Sequence, residues 1–266
     1  MTRCLVGLPS QTFFMEYSNN LRKLVKSLDE VRHRRETGLF KIEGTKCVTD
    51  TVGRFEIEYL LATPEWIESN PDSGLRPLPV AAREMTRMSS MVTPPGVISI
   101  CRIPSRTFDP SMVENNLVLA LDAIRDPGNL GTIIRVADWF GIRDILCSTD
   151  TVDCWGPKVV QATMGSIARV RLHYLDLPAT LSSLKCEIFG MFLDGADIYN
   201  EPLSSAGVIV IGNESHGVSD SVASLVTRRL TIPSFPVGAE TGESLNAAVA
   251  TAVTVSTFRQ KQWQNK

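Results

Sequence analysis

The chain has no apolar run long enough to cross a bilayer. Its longest apolar-leaning stretch, AAVATAVTV, falls far short of the roughly 18 residues that a spanning helix needs. The start has one early base, Arg3, and the short run CLVGLP, without a cleavage-like pattern. A soluble, cytoplasmic protein is expected. The six cysteines (Cys4, Cys47, Cys101, Cys147, Cys154, Cys186) include no Cys-x-x-Cys pair, and several sit inside apolar runs. That pattern fits buried free thiols in a reducing compartment and argues against a disulfide framework. Three scattered histidines offer no zinc constellation, and no metal is expected. Several enzyme signatures are also missing. There is no G-x-G-x-x-G for a dinucleotide, no Lys-Ser/Thr closing a P-loop, no G-x-S-x-G elbow and no H-E-x-x-H.

What is present is enough for one large domain or two ordinary ones: 266 residues, 43% of them apolar. The formal net charge of −2 carries no nucleic-acid signal for the whole chain. The halves differ, however. Residues 1–113 hold 15 Lys and Arg against 13 acids, and the remainder holds 12 against 16. Between Arg22 and Lys46 lie eight bases and four acids, a local basic patch that suits either a solvated helix face or a polyanion site.

In NNLRKLVKSLDEVRHRRETGLF, Leu21, Leu24, Val25, Leu28 and Val31 recur at three and four residues. This spacing predicts a single helix with one apolar stripe, ended by Gly38. Strands follow in TGLFKIEG, RFEIEYLLAT and GVISICRI, with helices in PEWIESN and VAAREMTRMSSM. Residues 1–103 therefore read as a small α/β unit. PSRTFDPSMVENN, rich in Pro, Ser, Asn and charge, is the best linker, placed at 104–115. From residue 116 to 266 the texture becomes strict alternation. Strand-like LVLALDAI, DILCST, ARVRLHYL, EIFGMFLD, GVIVIGN and RLTIPSF are mostly separated by short helical runs, and SLNAAVATAVTVSTFRQKQW closes the chain. Such alternation implies a mostly parallel sheet covered by helices on both faces. Ligands then bind at the carboxyl ends of its strands.

Four post-strand loops fall there. RDPGNLGTIIR places Gly128 and Gly131 in a turn before a helix, an anion-binding arrangement. Arg135 lies one helical turn further on, either facing a phosphate or as a plain surface residue. VIVIGNESHGVSD spaces Gly212 and Gly217 like a P-loop, yet carries Glu214. A carboxylate repels phosphate, so Glu214 suits hydroxyl or amine recognition, or capping of backbone amides; His216 reads as a support. TIPSFPVGAETGESLNAAV ends a strand at Ile232-Pro233, then puts Ser244 at a helix N-cap and Asn246 in the first turn. MFLDGADIYNEP ends a strand in an Asp194-Gly195 turn.

Three of these loops, in order, resemble the motifs of the SpoU-type (TrmH-like) RNA ribose 2′-O-methyltransferases of the SPOUT superfamily. The likeness rests on N-x-G-x-x-x-R at Asn129, Gly131 and Arg135. It continues with G-N-E-x-x-G at Gly212, Asn213, Glu214 and Gly217, and with I-P…E-S-L-N from Ile232 to Asn246. Less specifically, LVKSLDEVRHRRETGLFKIEG is similar to the ribosomal-protein-L30-like substrate-binding domain that precedes such catalytic domains. The resemblance implies S-adenosylmethionine as methyl donor, an RNA ribose as acceptor, a homodimer and a trefoil knot in the C-terminal part. Pattern rules alone argue against a knot. It implies cofactor contacts around Leu193, Gly195, Ile211, Gly212, Asn213, Gly217, Ile232 and Leu245. Asn129, Arg135, Glu214, Ser244 and Asn246 become the catalytic set, and the first motif meets the RNA. One departure is the Pro233 to Ser244 loop, longer than the family's usual loop, with Gly238 and Gly242 both candidates for its glycine.

A guanidinium keeps its proton at neutral pH, and removing it costs at least roughly 7 kcal/mol. Arg135 is therefore expected to stay charged, hold the neighbouring phosphate and stabilise a developing alkoxide. The hydroxyl proton would leave to that phosphate, to Glu214 or to water. Arg32, Arg34 and Arg35 on the basic helix are expected to bind RNA. Ribosomal RNA is favoured over transfer RNA by the L30-like unit. The alternatives are a transfer-RNA methyltransferase, a non-catalytic RNA-binding protein and, by texture alone, a nicotinamide dehydrogenase, which the absent fingerprint disfavours.

Overall fold

The computed structural model describes residues 19–236 and 242–264. Of the residues singled out above, Arg3, Cys4 and Gly238 lie outside these. The first unit runs α1 (Asn19–Ser27), α2 (Val31–Thr37), β1 (Leu39–Glu43), α3 (Thr45–Thr51), β2 (Ile57–Ala62), α4 (Pro64–Ser69), β3 (Leu78–Pro79), α5 (Ala82–Met88) and β4 (Val97–Arg102). Its strands form one sheet in the order β1-β4-β2-β3, antiparallel except for the short β2/β3 pair.

Two helices stand where the apolar stripe predicted one. The chain tightens at Leu28 to Glu30, where the amides of Asp29 and Glu30 bond three residues back. The break lets Leu28 drop fully into the core beside Val25. It also frees the carbonyls of Leu28 and Asp29, and Arg34 Nη1 donates to both at 2.8 and 2.9 Å.

The second unit runs β5 (Leu117–Leu121), α6 (Pro127–Trp139), β6 (Asp144–Ser148), α7 (Pro157–Thr163), β7 (Arg171–Leu175), α8 (Leu177–Ser183), β8 (Ile188–Asp197), β9 (Gly207–Ile211), α9 (Asp220–Ala223), β10 (Arg228–Thr231) and α10 (Ala247–Gln264). Its sheet has the order β10-β8-β9-β5-β6-β7, and every adjacent pair is parallel. Leu117, Leu119 and Leu121 of β5 face one core, while Val118 and Ala120 face the other. Ile209 and Ile211 alternate with Val208 and Val210 in β9 in the same way. This two-sided burial is why the strands are apolar throughout.

The two units share one core. Phe40 of β1 packs on Trp155, ring centroids 4.5 Å apart, and both belong with Ile145 and Val159 to a single cluster. The linker is packed as well: Val113 is buried, and Arg106 donates to the Val170 carbonyl at 3.2 Å. Arg34 locks the junction. The residue is 4% exposed, and its guanidinium grips Asp153 Oδ2 through Nε at 2.9 Å and Nη2 at 2.6 Å. This corrects its expected role as an RNA ligand, because the buried head group is already taken up by Asp153 and the Leu28 and Asp29 carbonyls. Four described cysteines, Cys47, Cys101, Cys147 and Cys154, are buried as free thiols, and burial pushes Cys101 up to about 11.

Removing one member of a buried ion pair strands the other. Arg34→Ala should therefore lower folding stability by roughly 3 kcal/mol in urea titration, while Arg35→Ala, on the exposed face, should change it by less than about 0.5 kcal/mol.

Candidate active site

Because β5, β9, β8 and β10 are parallel neighbours, their carboxyl ends open on one edge of the sheet. Just past β5, the buried Asp122 carboxylate accepts the Ser219 amide at 2.7 Å. Ala123 follows in the left-handed region, φ 58°, a cost that persists only where the surroundings hold it. They do: its amide donates to Ser148 Oγ at 2.8 Å, and its carbonyl accepts from Asn213 Nδ2 at 2.7 Å.

Asp126 then caps α6, accepting the Asn129 amide at 2.7 Å, with Pro127 at the first helical position. Gly128 and Gly131 thus lie in the helix, not in a turn before it as expected, and Asn129 lies between them in the first turn. Gly131 serves packing: a β-carbon there would sit 2.4 Å from Ala162 Cβ of α7.

The turn after β9 is closed by a bridge between Asn213 and Gly217, whose amides and carbonyls bond mutually at 2.9 Å. Asn213 Oδ1 also accepts the Ser215 amide at 2.9 Å. Gly212 leaves no room for a side chain, since its β-carbon would lie 2.3 Å from the Gly217 carbonyl carbon. The turn holds Glu214 out towards α6, and Asn129 Nδ2 donates to Glu214 Oε1.

The third loop meets the same residue. Asn246 Nδ2 donates to Asn129 Oδ1 at 2.8 Å. Asn246 is also the cap of α10: its Oδ1 accepts the amides of Ala248 and Val249 at 3.0 and 3.3 Å. Ser244 was expected to be that cap, but it is exposed and lies outside the helix. Asn246 directly precedes the first helical residue, Ala247, so its side-chain oxygen reaches the free amides and it serves as the cap.

These bonds have one direction. Backbone N–H groups can only donate, so Asn246 must present its oxygen to them and its nitrogen to Asn129. Asn129 must then present its nitrogen to Glu214. The chain ends on an acceptor whose second oxygen, Oε2, takes no donor among the described residues. Arg135 is not drawn into this network. It is exposed on α6, with no ion pair among the described residues, as is the nearby Trp139, 86% exposed.

At the neighbouring strand ends, the Asp194-Gly195 turn is instead a bulge within β8. The register jumps from Gly190 paired with Arg229 to Ala196 paired with Leu230. The intervening segment is anchored by Asp194 to Arg229 at 2.6 Å. Gly195 abuts the Leu230 backbone, where a β-carbon would be 2.4 Å from its carbonyl carbon. Leu193 projects into solvent, 78% exposed, and Leu245 is 48% exposed; Ile211 is buried and Ile232 half-buried. Bare apolar side chains beside side-chain-free backbone suit a flat, partly apolar ligand such as an adenosyl group.

Sequence reasoning missed Asp122, Ala123 and Asp126. Asp-Pro ahead of a helix is a readable cap signal; the Asp122–Ser219 bond, 97 residues apart, leaves no local trace.

The chain is similar to known proteins over nearly its whole length. Residues 116–256 match the model of the SpoU rRNA methylase family, and residues 19–99 match the MRM3-like substrate binding domain. The chain belongs to the SpoU rRNA methylase family. One relative is the 23S rRNA (guanosine(2553)-2′-O)-methyltransferase RlmP of Bacillus subtilis, 28% identical over 88% of this chain and 94% of its own. A solved TrmH-family structure from Porphyromonas gingivalis is 35% identical, with a TM-score of 0.82, covering 92% of this chain and 98% of that one. The AdoMet-bound rRNA methyltransferase of Sinorhizobium meliloti is 27% identical, with a TM-score of 0.79, over 92% and 96%.

If the hydrogen-bonded chain is one unit, losing either amide should cost much the same. Asn129→Ala and Asn246→Ala are expected to be strongly non-additive in methylation rate when combined. Asn246→Ala alone should also lose about 1 kcal/mol of stability with the cap, read by thermal denaturation.

Proposed function

We propose that the protein methylates a ribose 2′-hydroxyl of ribosomal RNA, with S-adenosylmethionine as donor. The observation that carries this reading is the Asn246–Asn129–Glu214 chain, which brings three separate family motifs to one point. Ribosomal RNA is preferred to transfer RNA because the Bacillus subtilis and Sinorhizobium meliloti relatives, each matched over most of the chain, are named for it.

When bound, S-adenosylmethionine supplies an electrophilic methyl on a sulfonium. Leu193, Gly195, Ile211, Gly212, Ile232 and Leu245 would hold it, with Asn213 and Gly217 fixing the loop. The residues of this chain must do the rest. The ribose oxygen forms a bond to the methyl carbon as the carbon–sulfur bond breaks, so the hydroxyl proton must leave. Glu214 Oε2 is the acceptor offered to it, and Asn129 fixes that carboxylate through Oε1. Arg135, which has no ion pair among the described residues, grips the adjoining RNA phosphate and steadies the alkoxide as it forms. Ser244, exposed near the cofactor loop, orients the ribose. Arg32 and Arg35 remain RNA contacts on the exposed face of α2, although Arg32 already pairs with Glu36 at 2.7 Å.

The same reading includes a homodimer, favoured by the apolar Trp139 and Val249 left exposed on α6 and α10. It includes a trefoil knot, favoured by a chain that leaves the sheet edge at β10 and returns to pack α10 on α6. It also includes an L30-like character for the first unit. A ribosomal RNA substrate fits the cytoplasm.

Calorimetry should detect binding of S-adenosylmethionine and none of NAD. Arg135→Ala should lower single-turnover methylation about 10²- to 10³-fold, and Arg135→Lys, which keeps the charge, should recover part of it. A lysine variant as dead as alanine, with RNA binding intact in both, would count against a purely electrostatic arginine.

A further inference from the structure

A cleft of about 960 Å³ lies at the junction of the two units, between α2, residues 103–105 and the segment 149–158. Its size is within the range of small-ligand sites, and none of the three motifs described above accounts for it. Much of its wall is flat and apolar: Ile103, Pro104, Val152, Trp155, Pro157 and Tyr174. The wall is also rigid. Trp155 is wedged against Phe40 and Phe55, with centroids at 4.5 and 5.9 Å. The Tyr174 hydroxyl accepts the Cys154 amide at 2.8 Å and donates to the Val152 carbonyl at 2.5 Å.

The charges at this cleft do not cancel. Its two acids are already engaged. Asp29 binds Lys26 at 2.9 Å and Lys41 at 2.7 Å, and Asp153 binds Arg34 at 2.6 Å. Arg35 and Lys158 line the same cleft, are exposed, and have no acidic partner among the described residues. Flat apolar walls edged by two uncompensated cations fit a ligand with a planar face and an anionic tail.

The cleft also reaches Pro127, two residues before Asn129. A strand seated in it is therefore within a few nucleotides of the catalytic amide. We propose that this cleft holds one unstacked nucleotide of single-stranded RNA, its base against the Trp155 and Tyr174 wall and its phosphate at Arg35 and Lys158. The site is distinct from that of the methylated ribose. It fixes where the strand enters, and single-stranded segments are what sequence-selective RNA binding targets. The proposal does not require methyl transfer to be the reaction.

The test is fluorescence anisotropy with a labelled oligouridylate hexamer and a blunt RNA duplex. The hexamer should bind at least tenfold more tightly than the duplex. Arg35→Glu with Lys158→Glu should weaken hexamer binding at least about tenfold and reduce the slope of log affinity on log salt by about 0.7, the value for one lost phosphate on a single strand. Ser105→Trp, which fills the cleft from its rim, should weaken it about fivefold without changing that slope, as loss of one stacked base would. Calorimetry with S-adenosylmethionine, unchanged in all variants, confirms that they fold. Asn129→Ala should abolish methylation yet bind the hexamer normally. Wild-type affinity in both variants, equal affinity for the duplex, undetectable hexamer binding, or equal competition by polyglutamate would each overturn the proposal. A wild-type protein that binds the hexamer but not S-adenosylmethionine would sink the methyltransferase reading and leave the cleft standing.

Discussion

The hydrogen-bonded chain from the start of α10 through Asn246 and Asn129 to Glu214 organises this site. Its links join residues 117 and 85 positions apart in sequence. Each partner is fixed by the next. The helix amides orient Asn246, Asn246 orients Asn129, and Asn129 leaves Glu214 no role but acceptor. A carboxylate in a glycine-rich turn is a poor choice for cradling phosphate. At the end of a polarised amide chain, its second oxygen takes no donor among the described residues, and the proposed role is to take the proton there.

The surrounding structure serves to bring these three side chains together. Parallel strands deliver their carboxyl ends to one edge. Glycine then permits the close approaches: Gly212 against Gly217 and Gly195 against Leu230 each leave no space for a β-carbon. Asp122 and Asn213 tie the β5 and β9 loops to each other, and the left-handed backbone of Ala123 is held by that bracing. The first unit is bolted on by Arg34 and Asp153 rather than tethered, so its surface keeps a set position relative to the site.

Much of this was legible in the sequence. The alternation after residue 116 announced a parallel sheet because strands buried on both faces must be apolar throughout. The motif residues could be picked out because three loops carry the family's motifs in order, although each residue alone reads equally well as a turn or cap residue. What stayed hidden was non-local. The Leu21–Val31 stripe satisfied a helical period, so nothing local signalled the break that Arg34 stabilises from six residues away. The same arginine looked like a surface base because its partner, Asp153, is 119 residues distant. Ser244 looked like a cap by residue type, yet Asn246 was nearer the free amides. Gly131 looked like a turn glycine until α7 was seen pressed against it.

The central claim is that this network directs methyl transfer to a ribose oxygen. The direct measurement is to incubate the protein with methyl-tritiated S-adenosylmethionine and ribosomal RNA, digest the RNA to nucleosides and locate the label. The account predicts label in a single 2′-O-methylnucleoside, lost with Glu214→Gln. Label on a base, or transfer undiminished by Glu214→Gln, would contradict it.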